Sequence, residues 1–88
     1  MYVTFDKAFL KSIKKLKNKD IKTQIADFII ELENTEQITN ISSIKKLSGD
    51  SYSYRKRIGD FRIGFEIKNN TAHIIIIAHR KDIYKSFP

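Results

Sequence analysis

Arg55, Arg57, Arg62, Arg80, His79 and Tyr84 are the side chains of this sequence best suited to chemistry, and all six lie in its second half. A guanidinium grips phosphate or carboxylate through parallel N–H bonds, whereas a lysine offers a point charge. Residues 1–44 carry seven Lys against six acids, and residues 45–88 carry ten Lys and Arg against four, so the net +7 divides as +1 and +6. An anion-binding surface is therefore expected in the C-terminal half. The lysines of the first half read as a solvated face. His79 suits general acid or base work near neutral pH, and equally suits a structural hydrogen bond at a strand end. Tyr84 can donate a proton or stack on a base, or simply pack as a terminal aromatic. Tyr52 can stack on a nucleobase, and Lys45 and Lys46 can hold backbone phosphates; each also has a plain reading as a strand former or a solvated charge. His73 projects toward Glu66 as a surface pair.

The elements that must position these groups follow from periodicity and turn residues. Met1–Phe5 reads as a strand. Asp6 is suited to cap a helix in which Phe9, Ile13 and Leu16 recur at helical spacing. Asn18–Asp20 interrupts, and a second helix follows with Ile21, Ile25, Phe28, Ile29 and Leu32 on one stripe. Residues 34–43 form a polar connection, and Ser48–Gly49–Asp50 a turn. Tyr52–Ile58, Phe61–Lys68 and Thr71–His79 are strands joined by two-residue turns at Gly59–Asp60 and Asn69–Asn70. Lys81–Phe87 allows one helical turn. The expected fold is α+β: an N-terminal strand and helix hairpin packed on a small, mostly antiparallel sheet, as one domain over residues 1–88.

With two-residue turns, Ile58 pairs with Phe61, Arg57 with Arg62, Arg55 with Gly64, Phe65 with Ile74, Ile63 with Ile76 and Arg62 with Ile77. One face then holds Ile58, Phe61, Ile63, Phe65, Ile67, Ala72, Ile74, Ile76 and Ala78, a core face ready for the helices. The other holds Arg55, Arg57, Arg62, Gly64, Ile75, Ile77 and His79. Arg57 and Arg62 are directly opposed, about 5 Å apart at Cβ, which destabilises a sheet unless an anion lies between them. Gly64 is expected to lower the floor of this cationic face. Lys56 falls on the core face and must snorkel at an edge, or a bulge must shift its strand.

Composition excludes several classes. At 88 residues a second domain does not fit. With no Cys there is no disulfide, thiolate nucleophile or thiolate zinc site, and two His make a weak case for any metal; no cofactor is expected. The longest apolar run, Ile74–Ala78, is too short to cross a bilayer. No signal-peptide pattern opens the chain, so a cytoplasmic location is expected. Metal-free RNA cleavage remains within reach of these residues. The neighbouring 2′-OH is the nucleophile, and the protein need only orient it, move two protons and stabilise a phosphorane-like charge.

The order strand, two helices, three strands, with Lys45-Lys46-Leu47-Ser48-Gly49 leading into Tyr54-Arg55-Lys56-Arg57-Ile58-Gly59-Asp60-Phe61-Arg62-Ile63, resembles the RelE/ParE superfamily of type II toxins. The ending Ala78-His79-Arg80-Lys81-Asp82-Ile83-Tyr84 resembles that family's His-Arg-x-x-x-Tyr close. The resemblance implies a toxin neutralised by a cognate antitoxin, in a heterodimer or heterotetramer. RelE-like members cut mRNA in the aminoacyl site of the ribosome without a metal. Carried over by position, Arg55 and Arg57 match a pair of basic strand residues that are Lys in RelE, so a lysine general base is in question here. Arg62 matches the arginine that stabilises the transition state, Arg80 the basic residue of the closing motif, and Tyr84 the terminal tyrosine. His79 is common at its place in relatives. The implied catalytic set is Arg57, Arg62, His79, Arg80 and Tyr84, with Arg55, Lys45, Lys46 and Tyr52 gripping mRNA or ribosomal RNA. The alternative is a ParE-like inhibitor of DNA gyrase without nuclease activity; the retained basic set and Tyr84 favour the RNase.

Overall fold

The structure, a computed structural model, describes residues 1–47, 49 and 52–87. The chain runs β1 (Tyr2–Phe5), α1 (Lys7–Lys15), α2 (Lys19–Asn34), a 3-10 turn (Ile38–Asn40), β2 (Ile44–Lys46), β3 (Ser53–Ile58), β4 (Phe61–Lys68), β5 (Thr71–His79) and α3 (Ile83–Ser86). Both long helices begin where a side chain satisfies an orphan amide: Asp6 accepts from the Ala8 N–H at 2.9 Å, and Asn18 from the Ile21 N–H at 3.1 Å. The expected stripe of α2 buries Ile21, Ile25, Phe28 and Leu32, with Ile29 half-buried.

The five strands form one sheet in the order β1-β5-β4-β3-β2, with β1 parallel to β5 and the other pairs antiparallel. The α+β expectation holds, with the short edge strand β2 added to it. Both hairpin turns use the residues that tolerate positive φ: Gly59 at 56°, and Asn69 and Asn70 at 51° and 57°. The turn expected at 48–50 includes Ser48 and Asp50, which lie outside the described residues. No described helix is long and apolar enough to cross a membrane.

The helix-side core joins the helices to Ile58, Ile63, Phe65, Ala72, Ile74 and Ile77, with Phe28 edge-on to Phe65 at 5.4 Å between centroids. The opposite side carries a second, smaller cluster of Leu47, Ile83 and Phe87, backed by Ile75, Ile76 and Ala78. One irregularity serves both. Phe65 pairs with Ile74 as expected, but Gly64 pairs with Ile76 and Ile63 with Ile77, so β5 carries one extra residue, Ile75. A bulge of this kind reverses the alternation beyond it. It corrects the expected pairings of Ile63 with Ile76 and Arg62 with Ile77. Ile77 turns into the helix-side core, while Ile76 and Ala78 turn to the α3 side. His79 changes sides with them.

Candidate functional site

β3 and β4 deliver the cationic face as their register requires. Arg57 pairs with Arg62, and Arg55 with Gly64. β2 extends the face, since Lys45 pairs with Arg55. Four-residue α3 lies over the sheet on this side, anchored by buried Ile83 and Phe87 and presenting Tyr84 outward at 74% exposure. An open pocket of about 370 Å³ results, lined by Ser43, Ile44, Lys45, Arg55, Arg57, Arg62 and Tyr84. Among the described residues no carboxylate lines it. A groove sharing Ser43, Arg57 and Arg62 continues round the β3–β4 turn to Arg80, Asp60 and Lys56.

The guanidinium groups are held differently. The Arg55 guanidinium sits 4.8 Å from the centre of the Tyr84 ring. Hydrogen bonding from Arg55, then its charge, pulls the Tyr84 phenol below the ordinary tyrosine value; Lys45 and Arg62 add to this and desolvation opposes it. Arg62 folds back on its own turn, one terminal nitrogen donating to the carbonyls of Gly59 and Phe61 at 2.9 Å each. Arg80 lies across the same turn, its backbone N–H on the Asp60 carbonyl at 2.8 Å and its side chain 4.0 Å from the Asp60 carboxylate. Among the described residues the Arg57 side chain is exposed and has no carboxylate partner. Arg57 and Arg62 thus stand at directly opposed strand positions, and among the described residues neither has a carboxylate partner, an arrangement that an anion would relieve.

Of the residues expected from sequence, the pocket brings together Arg55, Arg57, Arg62, Lys45 and Tyr84, and the adjoining groove adds Arg80. Three others stand apart. His79 is displaced by the bulge to the helix side, pairing with Phe61 and meeting its ring edge-on at 5.7 Å, while its Nδ1 accepts from the Lys81 N–H at 3.2 Å. Lys46 alternates to the face opposite Lys45. Tyr52 adjoins the far end of β4, its backbone carbonyl accepting from Ile67 and its ring covered by the Lys68 ammonium at 3.7 Å. Gly64 does not lower an open floor, because the Phe87 ring occupies the space its missing side chain leaves. His73 faces Glu66 in register, but its ring bonds Thr4 at 2.7 Å and approaches Asp6 at 3.6 Å. Lys56 stays on the helix-facing side and runs to the corner before β2, where its ammonium donates to the Ser42 carbonyl at 2.8 Å, and the β3–β4 register continues past it with no shift. Ser43 was not expected at the site. It stands in the left-handed region at φ 60°, and a polar connection gives no sequence signal for that.

An open cationic pocket on a small α+β sheet, with a tyrosine at its rim, has the charge that suits a polyanion. Residues 3–84 match the family described as the ParE toxin of the type II toxin–antitoxin system parDE. The chain is 36% identical over 89 residues to the toxin RelE3 of Methanocaldococcus jannaschii, covering the whole of both. It superposes on a chain of the RelB–RelE antitoxin–toxin complex from Methanococcus jannaschii with a TM-score of 0.83, at 34% identity and over 97% of this chain and 99% of that one. A chain of the archaeal RelE–RelB complex from Pyrococcus horikoshii shares the fold at a TM-score of 0.74, with 23% identity over 90% of this chain and 93% of that one. The chain belongs to the RelE/ParE superfamily of type II toxins, and is RelE-like by homology.

Proposed function

We propose that this toxin is a ribosome-dependent endoribonuclease that cuts mRNA in the aminoacyl site by attack of the substrate's own 2′-OH. The observation that carries the reading is the opposed Arg57–Arg62 pair, in a pocket that no described carboxylate lines and with Tyr84 at its rim. Attack of the 2′-oxygen on phosphorus gives a 2′,3′-cyclic phosphate and expels the 5′-oxygen. One proton leaves the 2′-OH and one is delivered to the leaving oxygen. Arg57 and Arg62 take the non-bridging oxygens, whose charge grows in the transition state. Arginine stays protonated throughout, so proton transfer falls to Tyr84, whose lowered pKa raises its phenolate fraction, with Lys45 as the other titratable group lining the pocket. Arg55 orients Tyr84, and Arg80 extends the grip along the strand. The partners are ribosome-bound mRNA and a cognate antitoxin; the RelB–RelE complexes of the structural relatives support the antitoxin.

The family match carries the ParE name, and that favours a second reading: inhibition of DNA gyrase without nuclease activity. Primer extension on mRNA in a reconstituted translation system separates the two. New cuts at the aminoacyl site that weaken in Tyr84→Phe support the RNase. Active ribosomes left uncut by the wild type, together with accumulated gyrase cleavage complexes, would reject it.

A further inference from the structure

One buried cation has no part in this chemistry. Lys56 is only 9% exposed and lies on the helix-facing side of β3, between Tyr54 and Ile58. Burial pushes its pKa below the usual lysine value, against the pull of Glu31 on α2. An apolar chain of the same length would be buried there at less cost, so the ammonium needs a reason to be present.

The reason lies in the corner that precedes β2. The Lys56 ammonium donates to the carbonyl of Ser42 at 2.8 Å and lies 5.4 Å from the centre of the Phe28 ring. The next carbonyl, on left-handed Ser43, accepts the backbone N–H of Arg57 at 2.9 Å. Consecutive residues of β3 thus hold consecutive carbonyls of one corner, Lys56 by its side chain and Arg57 by its backbone. Ser43 is also wall to both the anion pocket and the groove that continues it. The Arg57 side chain has no carboxylate partner among the described residues, so its placement depends on its backbone and on that wall.

We propose that Lys56 is a positioning residue, a strut that locks the Ser42–Ser43 corner against β3 and so fixes Arg57 in the anion pocket. Its ammonium is engaged by the Ser42 carbonyl and does not line the Arg57–Arg62–Tyr84 pocket itself. The functional half of this inference rests on the RNase reading above; the structural half does not.

Lys56→Met keeps the length and removes the donor. Three measurements are made on the purified toxin: the thermal midpoint, hydrogen exchange at the Arg57 amide, and single-turnover cleavage of mRNA on programmed ribosomes. The midpoint is expected to hold or rise, because exposed Ser42 can turn its carbonyl to water and a buried charge has gone. Exchange at Arg57 is expected to accelerate about tenfold, the loss of roughly one hydrogen bond, while the amides of Ile63 and Ile74 keep wild-type protection. The cleavage rate at saturating toxin should fall about tenfold or more, with the half-saturating concentration nearly unchanged. Lys56→Arg, which can still donate to Ser42, should recover much of both. Unchanged exchange at Arg57 overturns the strut, as does a loss of cleavage that merely tracks a lower midpoint. If the wild type cuts nothing, the RNase reading fails, and the exchange result alone decides the strut.

Discussion

Gly64 is buried in the middle of β4, and the ring of Phe87 lies where its side chain would be. A Cβ built there meets Phe87 Cγ at 2.5 Å, Cδ2 at 2.6 Å and Cδ1 at 2.9 Å. Carbon atoms rest at about 3.5–4.0 Å, so Gly64→Ala obliges the ring to retreat by about 1 Å. Crowding of this kind costs about 1–3 kcal/mol. Expelling the ring altogether costs about 1.5–3 kcal/mol, the burial value of a phenylalanine. The two routes converge, so the expected loss is about 1–3 kcal/mol whichever is taken. The consequence for the site is larger than that figure suggests. α3 has four residues, too few to be stable alone, and it is held by Ile83 and Phe87. Moving Phe87 moves Tyr84 away from Arg55. Urea denaturation measures the first effect. Alkaline titration of tyrosine absorbance measures the second: of the four tyrosines, the one ionising below the ordinary range should return to it. Cleavage should fall with it. A Gly64→Ala toxin with wild-type urea midpoint and wild-type tyrosine titration would refute the packing argument.

Three further outcomes follow from the site. Arg57→Ala removes one of two opposed like charges, so stability should hold or rise by up to about 1 kcal/mol; affinity for RNA should fall, with a salt slope shallower by about one, as filter binding against salt concentration would show. Arg55→Met removes the hydrogen bond and the charge that lower the Tyr84 pKa, so the early tyrosine titration should move up toward the ordinary value; in spectrophotometric titration, no movement would contradict a role for Arg55. If Tyr84 phenolate takes the 2′-OH proton, cleavage at saturating toxin should rise with pH as the phenol ionises, starting below the usual tyrosine range, and Arg55→Met should shift that rise upward; a flat profile would remove Tyr84 from the role of base.

The parts of this fold legible in sequence are those dictated locally. The Asp6 cap, the break at Asn18–Asp20, the α2 stripe and the two hairpin turns all follow from residue type and spacing, and the turns fix the Arg57–Arg62 pairing through β-sheet register. What escaped was set by packing across the sheet. The run Ile74–Ile77 offers four equivalent side chains, so nothing in it marks Ile75 as the extra residue. The bulge becomes necessary only because β5 must feed two cores, one under the helices and one under α3. That single residue decides that His79 leaves the cationic face while Tyr84, delivered by α3 rather than by a strand, reaches it. The near-even charge balance of residues 1–44 conceals a second feature. Residues 7–22 carry seven Lys against Asp20 alone, whereas residues 23–44 carry four acids and no Lys or Arg. The helix hairpin is therefore strongly polarised, with every one of those lysines exposed. The acidic stretch includes Glu31, the group that opposes the lowering of the Lys56 pKa. The buried strut of the anion pocket is thus supported from the helix layer, which the sequence read only as scaffold.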